Sequence, residues 1–152
     1  MKKQPSSEMC FVCGLLSPVG LRVLFHDDGV SEVRADVTIP SAHQGYPGIA
    51  HGGIVAAILD ETLGRVGLIG NPNRFTVTVR MEIKYRLPVP VETPLVVIGT
   101  ATKLRGRLVQ ARGEVRLPDG RVAAEAEATL TDMPKDLATP EQLAALGWAV
   151  SP

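Results

Sequence analysis

A chain of 152 residues has room for one domain with a proper hydrophobic core. Its apolar fraction of 45% and charged fraction of 21% are ordinary for a globular protein, and 16 Lys plus Arg balance 16 Asp plus Glu, which argues against nucleic-acid or membrane-surface binding. No apolar run reaches the roughly 18 to 20 residues of a bilayer span, and two cysteines in a chain this long are not a disulfide framework.

The opening "MKKQPSSEMCFVC" has two lysines but no apolar stretch of about 7 to 15 residues behind them, so no secretory signal is expected and a cytoplasmic location is. Residues 1–9 are expected to form a flexible leader and 10–152 a single domain. "CFVCGLLSPVGL" (10–21) is turn-rich. "LRVLFHDDGVSEVRADVTIP" (21–40) reads as a hairpin: Leu21, Val23 and Phe25 alternate, Asp28-Gly29 turns, and Val33, Ala35, Val37 and Ile39 alternate back. After the loop "SAHQGYPGIA", a helix is predicted from about His51 to Leu68, ended by "GNPN". Strands are predicted within 74–88, 94–106, 107–118 and 121–133. "TPEQLAALGW" (139–148) predicts a short helix with Thr139 as N-cap and Pro140 in its first turn. Strands segregated around one long helix argue an α+β fold with an antiparallel sheet. A helix apolar on nearly every side must be wrapped, and a curled sheet of about six strands could do that.

In "IVAAILDETLGRVG" two acids interrupt the apolar helix. Glu61 has Arg65 four residues on, a favourable surface pairing. Asp60 has no cation on its face, only Ala56, Ala57, Gly64 and, further back, Gly53. Such a stripe of small residues admits a close backbone or leaves room for a ligand; the plainer alternative is an exposed acid or a loop cap. His51-Gly52-Gly53 opens the helix, where free N–H groups and the dipole suit an anion or a polarised carbonyl oxygen. The plainer alternative there is a flexible helix entrance. Gly52 and Asp60 lie eight residues apart, about 12 Å along a helix. One small reacting centre cannot touch both in one subunit, so joint action predicts a homodimer with shared sites.

"HQGYPGIAHGGIVAAILDETLG" followed by "TVRMEIKYRLPVP" resembles the hotdog-fold acyl-CoA thioesterases, in particular the subgroup similar to the phenylacetate-pathway thioesterase. "CFVCGLLSPVGL" resembles the opening of that subgroup, with Ser17 where asparagine is usual. The resemblance implies a sheet wrapped around one central helix, homodimers or homotetramers, and hydrolysis of acyl-CoA without metal or cofactor. It places Asp60 on the catalytic carboxylate, activating water or attacking the carbonyl. It places Gly52 on the N–H that polarises the thioester carbonyl, and His51 on a histidine that orients loop or substrate. A hydroxyl on the next strand usually positions the water. Thr78 is preferred for this, with Thr76 on the same face. Some relatives carry an amide in the loop; the count lands on Gly45, with Gln44 beside it as a second polar contact.

"CFVC" is a Cys-x-x-Cys, but the histidines complete no four-ligand metal spacing and no strand-then-helix redox context surrounds it, so a packed turn is expected. "KLRGR" (103–107) places Arg105 and Arg107 at a hairpin turn, where they could meet CoA phosphates or simply be solvated; Arg74, Arg80, Lys84 and Arg86 are no better supported. Two other classes stay open: a hotdog dehydratase or hydratase using His43 and Glu61, and a non-catalytic acyl-CoA-binding module.

Overall fold

The computed structural model describes residues 1–152. Seven strands form a single antiparallel sheet. They are β1 (Lys2–Lys3), β2 (Phe25–Asp27), β3 (Glu32–Thr38), β4 (Thr76–Tyr85), β5 (Pro94–Arg105), β6 (Leu108–Arg116) and β7 (Val122–Asp132). In space the order is β1-β2-β3-β5-β6-β7-β4. The central helix α1 (Gly52–Val66) lies between β3 and β4 in sequence and packs on the sheet. A short α2 (Pro140–Ala144) follows β7, with Thr139 and Gln142 forming a reciprocal capping box.

The predicted alternation is present. Val33, Ala35 and Val37 of β3, and Val109, Ala111 and Val115 of β6, point inward and are buried. They meet Val55, Ile58, Leu59, Leu63 and Val66 on α1. Two glycines seat the helix closely. Gly99 and Gly113 pair directly across β5 and β6. A Cβ on Gly99 would lie 3.0 Å from Thr62 Cγ2, and one on Gly113 would lie 3.1 Å from Leu63 Cδ2. Here a side chain would push α1 off the sheet. Leu63 is fully buried in this seat. Leu63→Ala is expected to lower stability by about 2–5 kcal/mol, through lost burial plus a cavity. Urea unfolding checks this, and an unchanged midpoint would mean the helix is not seated as described.

The N-terminal residues correct one expectation. Residues 1–9 are not a loose leader. Lys2 and Lys3 pair with Asp27 and His26, adding a seventh strand to the expected six. Gln4 is buried and donates to Asp27 Oδ2 (2.9 Å) and to the Arg65 carbonyl (3.1 Å). Ser6 bridges Ala149, joining the two ends of the chain. These polar residues look solvent-bound in sequence, and they are held by partners elsewhere in the chain.

The Glu61–Arg65 pair also differs from expectation. It forms, Nε to Oε1 at 2.9 Å, but the Arg65 side chain is only 2% exposed. Its guanidinium lies 4.8 Å over Phe25 and 5.0 Å over Trp148, and it donates to the Pro5 carbonyl. The N-terminal segment and Trp148 together cover it.

The two sheet edges are unequal. β1 is two residues long, whereas β4 is a ten-residue outer strand carrying exposed Val79 and Tyr85. No helix is long and apolar enough to cross a membrane.

Candidate active site

The loop before α1 is closed by its own polar groups. Gln44 Oε1 accepts from Gly48 N at 3.0 Å, and Gly45 N donates to the Ile49 carbonyl at 2.8 Å. Gly48 sits at φ +78°, a conformation glycine adopts without strain. A Cβ on Gly45 would stand 3.3 Å from His51 Cα. Gln44 and Gly45 therefore shape the loop beside His51. The Gln44 carbonyl oxygen is committed to that turn, and the amide nitrogen alone lacks a partner.

His51 caps α1 with its side chain. Its Nδ1 accepts from Gly53 N at 2.9 Å. A neutral ring with Nδ1 as acceptor carries its proton on Nε2. This contact corrects the role expected for Gly53, whose N–H is already spent on the cap. Gly52 N–H makes no hydrogen bond within the chain. It is exposed at the first turn of the helix, where the dipole and the free donor favour a developing negative charge. Histidine is not a favoured cap residue, so the sequence did not signal which of the two N–H groups stays free.

Tyr85 was missed as a site residue. Its hydroxyl donates to the Gly52 carbonyl at 2.8 Å, and its ring lies 3.7 Å from where a Gly52 Cβ would be. It stands in the stretch "TVRMEIKYRLPVP" that carries part of the family resemblance. With Ile49, Val55 and Leu87 it surrounds Gly52 in a cleft of about 290 Å³.

Asp60 lines a different cleft, of about 430 Å³, bounded by Thr76, Thr78, Phe75, Leu130 and Trp148. Thr78 Oγ1 donates to Asp60 Oδ1 at 2.6 Å, and Oδ2 has no partner in the chain. One carboxylate oxygen is thus anchored and the other is free to accept a proton or to attack. Thr76 lies on the same wall against Gly64 and Gly67, and it makes no hydrogen bond to Asp60. Because α1 is continuous from Gly52 to Val66, the eight-residue gap stands. A single chain holds the free N–H and the free carboxylate in separate clefts.

Arg105 and Arg107 sit exposed at the β5–β6 turn, where Gly106 adopts φ +56°. Neither lines the Asp60 cleft nor the Gly52 cleft. Arg74 does reach the Asp60 cleft, with Nε bound to Asp132 at 2.8 Å. His43 stacks edge-on against Phe11, with ring centroids 5.7 Å apart. Glu61 is committed to Arg65, and Cys10 Sγ lies 3.7 Å from its second oxygen. That commitment removes the free acid a His43–Glu61 dehydratase would need.

The Cys-x-x-Cys folds as a turn, with Cys13 buried and Cys10 half-buried. The hydrogen bond from the Cys13 thiol draws the Cys10 pKa down to about 6, and the same contact with burial pushes Cys13 up.

The thioesterase superfamily model matches residues 47–124, a stretch that holds the end of the loop, α1, β4, β5, β6 and the start of β7. The chain belongs to the thioesterase superfamily. Its fold is the hotdog fold of that superfamily: an antiparallel sheet wrapped around one main helix. Among related proteins, acyl-coenzyme A thioesterase THEM4 of Mus musculus is 34% identical over 64 residues, covering 42% of this chain and 26% of that protein. Acyl-coenzyme A thioesterase THEM5 of Mus musculus is 37% identical over 46 residues, covering 30% of this chain and 18% of that protein. The chain thus spans about a quarter or less of the length of these relatives. A crystal structure described as a thioesterase superfamily protein superposes with a TM-score of 0.73 at 29% identity, covering 82% of this chain and 63% of that one. A hypothetical thioesterase of Streptococcus pneumoniae, crystallised with coenzyme A, shares the fold with a TM-score of 0.65 at 18% identity, over 72% of this chain and 86% of that one.

Proposed function

We propose that this thioesterase-superfamily chain hydrolyses an acyl-CoA thioester, with water, to the free acid and CoA. The observation that carries this reading is the Thr78–Asp60 hydrogen bond of 2.6 Å on the wall of a cleft. It orients a carboxylate whose other oxygen is free to take a proton from water or to attack the carbonyl itself. The free N–H of Gly52 supplies the second requirement, a donor for the oxyanion that forms at the thioester carbonyl. His51 holds that turn by capping α1, and Tyr85 holds the Gly52 carbonyl. The names of the mammalian relatives, and the coenzyme A crystallised with the streptococcal protein, support acyl-CoA as the substrate.

The site is completed across a homodimer. Gly52 and Asp60 of one chain face different clefts, so the donor facing Asp60 comes from a second copy. The long open edge of β4, which carries Thr78, is the surface that a second copy extends. Dimers, or tetramers built from them, are expected in light scattering after gel filtration; a fully active monomer would rule out the shared site. The Cys10–Gly14 opening and the loop-helix motif support the phenylacetate-pathway-like subgroup within the superfamily.

The test is thiol release from a panel of short, medium, long and phenylacetyl-type acyl-CoAs. Hydrolysis of at least one is expected, with phenylacetyl-type substrates among the best. Binding without thiol release from any of them would overturn the hydrolase reading in favour of a binding module. Thr78→Val removes the hydrogen bond to Asp60 and nothing buried, so kcat should fall roughly 10-fold or more with the fold unchanged. An unchanged kcat would mean that Thr78 does not position the carboxylate.

A further inference from the structure

On the wall of the Asp60 cleft itself, three metal-ligating side chains converge. Cys10 Sγ, Cys13 Sγ and a Glu61 oxygen all lie within 4.8 Å of one another. From this arrangement we propose that Cys10, Cys13 and Glu61 form a binding site for a zinc-class divalent transition-metal ion. The site uses none of the hydrolytic groups, although it shares their cleft, and it does not depend on the hydrolase reading.

The spacing fits the ion. With Zn–S near 2.3 Å and Zn–O near 2.0–2.2 Å in a tetrahedron, a sulfur and an oxygen ligand stand about 3.5 Å apart. Cys10 Sγ and Glu61 Oε2 are 3.7 Å apart. Each ligand also has its outer partner. The Val12 and Cys13 N–H groups donate to Cys10 Sγ at 3.3 and 3.5 Å, Ser7 Oγ lies 3.8 Å from Cys13 Sγ, and Arg65 Nε donates to the other Glu61 oxygen at 2.9 Å. Ligands oriented by such a second layer are what metal sites require. A pair of cysteines that only fills space has no need of two N–H groups aimed at one sulfur.

The turn is built for this shape. A Cβ at Gly14 would fall 2.3 Å from the Cys10 carbonyl and 2.8 Å from the Glu8 carbonyl, so only glycine closes it. Charge also balances. Two thiolates and Glu61 carry three negative charges, and the ion with Arg65 carries three positive ones. Any thiol proton displaced by the ion leaves to solvent. Three protein ligands leave one tetrahedral position for water, on a wall shared with the cleft. The sequence concealed the third ligand, because Glu61 lies 51 residues from Cys10.

The test uses the full-length chain, reduced and stripped with a chelator, then titrated with Co²⁺ and afterwards with Zn²⁺. One ion per chain is expected, with the thiolate-to-cobalt charge-transfer band and tetrahedral d–d bands, all abolished by Zn²⁺. Cys10→Ser and Cys13→Ser should each weaken cobalt binding by more than the roughly 10- to 100-fold that loss of an outer-shell partner costs. Circular dichroism reports whether these variants fold, and the wild-type spectrum decides the matter if they do not. Absence of the charge-transfer band in the folded, reduced wild type overturns the assignment. So does equal cobalt affinity in a folded Cys10→Ser variant, or recovery of the two cysteines as a disulfide under the same reducing conditions.

Discussion

Replacing Asp60 with alanine should lower kcat for thiol release by roughly 10²-fold or more, as loss of a general base does, while the protein still folds. The carboxylate is half-buried in a helix whose neighbouring side chains are small, and its hydrogen bond comes from Thr78 on an exposed strand. Truncation therefore strands no buried donor, because Thr78 can turn to water. Alanine is also the better helix former. Stability should hold or rise slightly while activity collapses, the pattern of a residue kept for chemistry. Asp60→Asn sharpens the test. The amide oxygen still accepts from Thr78, so the geometry persists, but the side chain neither takes a proton nor attacks. The same loss in both variants places the effect on the carboxylate; an Asn variant close to wild type in kcat would reduce Asp60 to a structural role. Thermal melts beside thiol-release rates separate the two readings.

Arg65→Ala should be the most costly change for stability, about 3–5 kcal/mol, because it leaves a charged partner on a partly buried wall without its counter-ion. The guanidinium joins the helix to both ends of the chain. It pairs with Glu61, donates to the Pro5 carbonyl and lies between Phe25 and Trp148. Its loss frees the N-terminal segment and the C-terminal tryptophan together. For a chain of this length each kcal/mol moves the melting temperature by about 2–4 °C. A fall of roughly 10 °C is therefore expected by calorimetry or circular dichroism. The double variant Arg65→Met with Glu61→Gln removes both charges and fills the space, so it should recover part of the loss. A melting temperature within a few degrees of wild type for Arg65→Ala would mean that the cover over this side chain is dispensable.

The local features were legible. Alternation at Val33, Ala35 and Val37, the Asp28-Gly29 turn, the apolar helix after His51 and the Thr139 cap all act through neighbours within a turn or a pleat. The same holds for the absence of a cation on Asp60's helical face, since its helical neighbours can be counted. The preference for Thr78 over Thr76 came from the family pattern; in the structure it is Thr78 that donates to Asp60. What stayed hidden depends on distant partners. Lys2 and Lys3 have no strand pattern and become a strand only because β2 offers an edge. Glu61 and Arg65 read as a surface pair until Pro5 and Trp148 arrive to bury the arginine. Gly53 loses its free N–H to the side chain of His51, and Tyr85 reaches Gly52 across 33 residues. By itself the sequence determined most of the elements, their facing and which acid on the helix has no cation on its face, because periodicity and capping are properties of neighbours. Which N–H stays free, what covers Arg65 and what meets Cys10 were decided only when the sheet wrapped the helix, since each is a contact between segments that no local pattern relates.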